Sequence, residues 1–196
     1  MTHEHYYTTQ PSSKLKPQTF TTTLRDQKLT FTTGSGVFSP KKIDLGTRIL
    51  IEHARVQPGQ RLLDLGCGYG PVGIAFANTA DVTMIDINER ATQLAKQNAK
   101  KNNVDVAVKT GNMYEPVQEE RFDVILLNPP QTAGRKLCNE MIAQAKHHLE
   151  TGGTLQVVAR HQKGGKQFEK HMQEIFGNVE TIKKQSGYRI YLSTLQ

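Results

Sequence analysis

Arg61-Leu-Leu-Asp-Leu-Gly-Cys-Gly-Tyr-Gly-Pro-Val-Gly73 is the stretch whose reading decides the fold. Leu62, Leu63 and Leu65 read as a buried strand, Gly66, Gly68 and Gly70 turn the chain, and residues 72–77 open a helix. A strand, a glycine turn and a helix start make a cradle for a small ligand. Glycine lets the main chain approach closely, and the first helical turn offers unpaired N–H groups. Gly68-Tyr-Gly-Pro-Val-Gly73 satisfies G-x-G-x-x-G, which admits a nicotinamide cofactor. That fingerprint needs apolar strand up to its first glycine, however, and Asp64 and Gly66 interrupt the run.

At 196 residues the chain suits one domain with a full core. Lys and Arg outnumber Asp and Glu 25 to 18, and this net charge of +7 points to a polyanionic partner, RNA or DNA; the bland alternative is a generally basic surface. Cys67 in the glycine turn and Cys138 near a helix start fit a reduced cytosolic protein better than a disulfide scaffold. No apolar run reaches membrane-spanning length and no signal-peptide core is present, so a soluble, cytoplasmic chain with no membrane partner is expected. The histidines show no metal spacing, and no metal is assigned.

Toward the N-terminus, residues 1 to about 19 are polar, carry Tyr6 and Tyr7, and read as a loosely held arm or a disordered end. Lys28-Leu-Thr-Phe-Thr-Thr33 alternates as a half-buried strand does. Ser39 is an N-cap candidate with Pro40 in the first helical position. Ile43, Thr47, Leu50, Ile51 and Ala54 then predict a helix to about Arg55. Toward the C-terminus, the strand 81–86 ends in Asp86, about 20 residues past the glycines, where a Rossmann-like unit holds ribose hydroxyls. Asn88 caps a helix with the stripe Ala91, Leu94, Ala95, Asn98 and Ala99. Strands follow at 104–109 and 122–127. A helix marked by Leu137, Met141, Ile142, Ala145 and Leu149 stops at Gly152-Gly153. A strand over 154–159, a helix through Phe168, Met172 and Ile175, and an antiparallel pair over 179–184 and 188–192 close the chain. The alternation means an α/β sandwich on a mainly parallel sheet. Ligands bind at the carboxyl ends of such strands, which puts Gly66 to Gly70, Asp86, Asn112 and Asn128 on one rim. Asp86 also reads as a helix cap and Asn112 as a plain turn residue.

Asp64-x-Gly66-x-Gly68-x-Gly70 is similar to the first motif of class I S-adenosylmethionine (SAM) methyltransferases, and Asn128-Pro129-Pro130 resembles the Asn-Pro-Pro motif of those that methylate planar amino nitrogens. Such a nitrogen is a poor nucleophile because its lone pair is delocalised. An amide oxygen from Asn128 and the carbonyl of Pro129 can accept its two N–H bonds and aim the lone pair, while Pro129 and Pro130 stiffen the segment. With Gly36-Val-Phe-Ser39, Asp44-x-Gly46-Thr47 and Ala133-Gly-Arg-Lys136, the chain resembles over residues 5–193 the methyltransferase small domain family. The best-known members are small-subunit rRNA guanine-N2 methyltransferases of the RsmC type.

The resemblance implies a Rossmann-like class I methyltransferase sandwich, a seven-stranded mainly parallel sheet with a C-terminal antiparallel strand plus a short N-terminal extension. It implies a single domain over 1–196, with arm, strand and helix in 1–58 and a SAM-binding catalytic core in 59–196. Gly66, Gly68 and Gly70 would face the methionine part of SAM, Asp86 its ribose, Asn112 the adenine amine and Asn128 the target nitrogen. Phe38 and Thr47 would line the pocket, and Asp64, Ile87 and Met113 complete the cofactor contacts. The implied partner is ribosomal RNA or a ribosomal subunit, with Arg135, Lys136, Arg160, Lys163 and Lys166 as phosphate contacts. Three departures stand out. Asn112 replaces a more usual aspartate, Gln131 replaces the aromatic ring of adenine-specific enzymes, and only about 60 residues precede the glycine motif where the rRNA enzymes often carry a second, degenerate domain copy. The rival readings are a protein glutamine N5-methyltransferase, a non-catalytic RNA-binding module and a nicotinamide oxidoreductase.

Overall fold

Leu62 and Leu63 point to opposite faces of one sheet, and each joins its own apolar layer. The computed structural model describes residues 14–37, 39 and 42–196; Phe38, Pro40, the arm to residue 13 and the side chain of Gln131 lie outside the described residues. In chain order the elements are β1 (Gln18–Leu24), β2 (Gln27–Thr33), α1 (Leu45–His53), β3 (Arg61–Leu65), α2 (Pro71–Phe76), β4 (Asp81–Asp86), α3 (Glu89–Lys101), β5 (Ala107–Thr110), β6 (Phe122–Leu127), α4 (Arg135–Ala145), β7 (Leu149–Arg160), α5 (Lys166–Phe176), β8 (Glu180–Gln185) and β9 (Tyr188–Thr194). The main sheet has seven strands in the order β5-β4-β3-β6-β7-β9-β8. Pairing is parallel from β5 to β7, and β9 runs antiparallel to both β7 and β8. The expected architecture is therefore the observed one.

Period-two alternation sorts the core. Leu62, Val82, Met84, Val124 and Leu126 pack with α1, α2 and α3, whereas Leu63, Leu65, Ile85, Ile125 and Leu127 pack with α4 and α5. Helices on both faces leave the carboxyl ends of β3, β4 and β6 as the open rim. Gly73 lets α2 lie close to β4, because a Cβ there would collide with the Met84 side chain.

β1 and β2 form a separate hairpin. Its Phe20 and Phe31 pack edge-on against Tyr69 of the glycine turn, with ring centroids 6.3 and 5.9 Å away. The exposed edge of β2 is closed by two asparagines one turn apart, Asn98 on α3 and Asn102 at its C-cap. Asn98 accepts from Thr32 N (2.7 Å) and donates to Thr32 O (2.8 Å), and Asn102 repeats both bonds at Thr30.

Three expectations are corrected. The strand Gln18–Leu24 begins inside the stretch read as an arm. The first helix starts at Leu45 rather than after Ser39, whose φ of 50° is not a capping conformation; Asp44 is the cap. Leu149 belongs to β7, not to the preceding helix, which ends at Ala145. Gly152 and Gly153 bulge β7 where its register with β6 shifts, and a Cβ on Gly153 would meet Glu150 O at 2.8 Å.

Candidate active site

β3 ends and the main chain folds back over β4. The N–H groups of Gly66 and Cys67 both donate to Ile85 O, at 2.8 and 2.9 Å. Gly68 N then donates to Asp86 Oδ2 at 2.8 Å, while Asp86 Oδ1 accepts from Asn88 N at 2.9 Å. Gly68 has φ +56° and open space where a Cβ would sit, so its main chain borders the pocket directly. Behind the turn, Asp64 is 3 % exposed and accepts from Gly73 N, in the first turn of α2, at 2.9 Å. Burial pushes its carboxyl up to about 7; the Gly73 bond opposes this, and the neighbouring Asp86 charge adds to it. Asp86 is also raised by burial, against the N–H groups of Asn88, Gly68 and Ile87.

At the end of β6, Asn128 Nδ2 donates to Thr47 Oγ1 at 3.0 Å. Thr47 Oγ1 in turn donates to Asp44 Oδ2, and the other Asp44 oxygen accepts from Gly46 N and Thr47 N at the start of α1. The direction is forced. A carboxylate only accepts, so the single Thr47 hydroxyl proton goes to Asp44, and Thr47 can only accept from the amide NH₂. Asn128 Oδ1 then has no partner among the described residues.

One pocket gathers the ends of β3, β4, β6 and α1. Thr47, Asp64, Gly66, Gly68, Asp86, Ile87, Asn112, Met113, Asn128, Pro129 and Pro130 all line it. Gly70 is not in the lining; with φ +92° it caps α2 and shapes the turn, and a Cβ there would press on Ile74 and Ala95 at 3.1 and 3.3 Å. Phe38 lies outside the described residues. Leu137 and Met141 of α4 add an apolar wall, and Ser39, Asp44, Cys67 and Tyr69 also border the pocket. Of these, Asp44 is the important omission from the sequence reading; its motif was visible, its bond to Thr47 was not. Of the five expected RNA contacts, Arg135 and Lys163 share a second recess next to the first, Arg160 is exposed but bonded to Tyr188 Oη, and Lys136 and Lys166 are exposed.

The lining fits a compact cation carrying an adenosine. Two carboxylates, Asp64 and Asp86, stand at the glycine turn. Asn112 Nδ2 is engaged by Glu115 Oε1 at 3.3 Å, leaving its carbonyl oxygen to accept from an amine, and Ile87 and Met113 flank it.

The family model for the methyltransferase small domain matches residues 28–192. The chain belongs to the methyltransferase small domain family. Among its relatives, YbxB of Bacillus subtilis (strain 168), an uncharacterized protein, is 37 % identical over 95 % of this chain and 96 % of its own length. The ribosomal RNA small subunit methyltransferase C of Haemophilus influenzae (strain 86-028NP) is 31 % identical over 84 % of this chain and 51 % of its own. The structure of the T. thermophilus 16S rRNA methyltransferase RsmC, in complex with AdoMet and guanosine, shares the fold at a TM-score of 0.85 and 24 % identity, covering 95 % of this chain and 52 % of that one. This methyltransferase small domain chain thus spans about half the length of the rRNA methyltransferases it matches. S-adenosylmethionine is the methyl donor of this family. Among the described residues no helix is long and apolar enough to cross a membrane.

Proposed function

We propose that the protein is a SAM-dependent N-methyltransferase acting on an exocyclic base amine, guanine N2 of small-subunit ribosomal RNA. The observation that carries this is the fixed Asn128 amide: Thr47 and Asp44 hold its NH₂ inward and leave Oδ1 free beside Pro129, in the same pocket as Gly68 and Asp86. SAM, when bound, supplies an electrophilic methyl group on a positively charged sulfur. The chain's own part is to hold and to orient. Asn128 Oδ1 and Pro129 O accept the two protons of a planar amine, which disfavours its delocalised form and fixes the direction of the nitrogen lone pair. The rigid Asn-Pro-Pro exit keeps those acceptors in register with the glycine turn. Asp64 and Asp86 favour a cationic cofactor.

The 16S rRNA enzymes among its relatives support ribosomal RNA as substrate, as does the net charge of +7. In this reading residues 1–196 form one catalytic domain, and a cytoplasmic location follows from its substrate. The test is mass-spectrometric mapping of small-subunit rRNA from cells lacking the protein. One guanine loses its N2-methyl group there and regains it when the purified protein and SAM are added. Persistence of every rRNA methyl group, with label passing to protein instead, would overturn the reading.

A further inference from the structure

The β8–β9 turn stands on the same rim as Asn128. β6 and β7 run parallel, with Leu127 opposite Val157, and the far end of β7 closes with Arg160 opposite Tyr188. Tyr188 reaches toward α1, where its ring lies against Gly46, the neighbour of Thr47. The Arg160 guanidinium is held over that ring at 5.1 Å from its centroid, and Arg160 Nε donates to Tyr188 Oη at 3.0 Å. A planar cation is thereby fixed beside the pocket instead of moving freely in solvent. Lys184 and Arg189 stand on the two strands of the hairpin, directly opposite one another.

A recess opens between α4 and the start of α5, lined by Arg135, Lys163, Gln167, Cys138 and Phe168. Its floor adjoins the reactive tripeptide, since Cys138 Sγ lies 3.7 Å from Pro130 O. Among the described residues, none of Arg135, Arg160, Lys163, Lys184 and Arg189 has an acidic partner. His161, two residues before Lys163, is tied to β9 by a 2.7 Å bond between its Nδ1 and Tyr191 Oη. Its imidazole is held below its usual value first by desolvation, then by the charges of Arg189, Lys166 and Lys184, against Glu169.

We propose that recess and hairpin form one track for the RNA strand flanking the target nucleotide, with Arg135 and Lys163 on the adjacent phosphate and Arg160, Lys184 and Arg189 on phosphates beyond it. The inference rests on the proposed RNA substrate and adds the C-terminal hairpin to its interface. Unpaired cations spaced around a catalytic mouth match the repeating charge of a polynucleotide backbone.

The test measures binding and methylation of a small-subunit rRNA transcript across a salt series. It compares the wild type, Lys184→Gln with Arg189→Gln, and a control with Lys96→Gln and Lys100→Gln. The control removes the same charge from exposed positions of α3, which packs at the β4–β5 edge of the sheet. The hairpin pair is expected to make the log–log salt dependence shallower by about 1.4 to 1.8 and to raise KM for RNA, with SAM affinity unchanged and the control at wild-type values. Lys184→Gln alone, at an exposed side chain, gives about half of that change and stands in should the pair fail to fold. If the wild type methylates the transcript and the hairpin variants match the control, the track is wrong and the function stands. If the wild type neither binds nor methylates RNA, both fall.

Discussion

Thr47 has one hydroxyl proton, and Asp44 takes it; the orientation of the Asn128 amide follows from that. Removing the hydroxyl frees the amide to turn its NH₂ outward, where it repels an incoming amine. Thr47→Val is expected to lower kcat about tenfold, the worth of one net hydrogen bond, with KM for SAM little changed. Thr47→Ser, which keeps the hydroxyl, restores the rate; equal loss in both variants would show that the methyl packing mattered and not the bond. Asp64 gives a pH signature. Its carboxyl is raised from 3.8 to about 7, so between these values the folded state holds a proton that the unfolded chain has lost. Stability therefore falls as pH rises through that window, and Asp64→Asn flattens the dependence in urea titrations. A cationic ligand favours the charged form, so SAM affinity rises over the same interval. From sequence Asp64 reads only as a cofactor contact, because a short glycine-rich turn hides that the same side chain also serves the N–H of Gly73.

At the scale of elements, Asn98 holds three parts together. Fully buried, it closes the edge of β2 through Thr32 and also donates to Tyr69 O at 2.9 Å, tying the hairpin to the glycine turn. Asn98→Ala leaves buried main-chain groups unpaired and should cost about 3 kcal/mol, read by thermal or urea unfolding. Faster amide exchange in β2 and in the glycine turn would locate the damage, and a cost below 0.5 kcal/mol, in the range of ordinary surface changes, would deny the role. Sequence shows this asparagine as an odd member of an apolar stripe but not what it binds. The hairpin itself escapes a sequence reading for a physical reason: its turn, Arg25-Asp26, takes φ values of 47° and 60° without a glycine to announce it. The start of α1 is misread because Ser39-Pro40 and Asp44 both look like caps, and only tertiary position selects the second. β3, β4 and β6 are legible because their alternation or full burial leaves one reading.

At the scale of the whole molecule, the topology explains how distant segments meet. Parallel strands carry Gly66, Asp86 and Asn128 to one rim, and α1 closes over it with Thr47. That rim is readable from strand ends alone. The approach of Tyr188 to Gly46 is not, because nothing local to either residue signals a contact across so much of the chain. A ligand spanning these strand ends stabilises them as a unit: SAM at 100 times its Kd adds about 2.7 kcal/mol to unfolding, and NAD adds nothing. The central claim is that Asn128 orients the accepting amine, and single-turnover transfer of labelled methyl from SAM to small-subunit rRNA tests it most directly. Asn128→Ala is predicted to slow the transfer by roughly 10² to 10³ while binding SAM as the wild type does. Transfer at the wild-type rate by that variant would contradict the account.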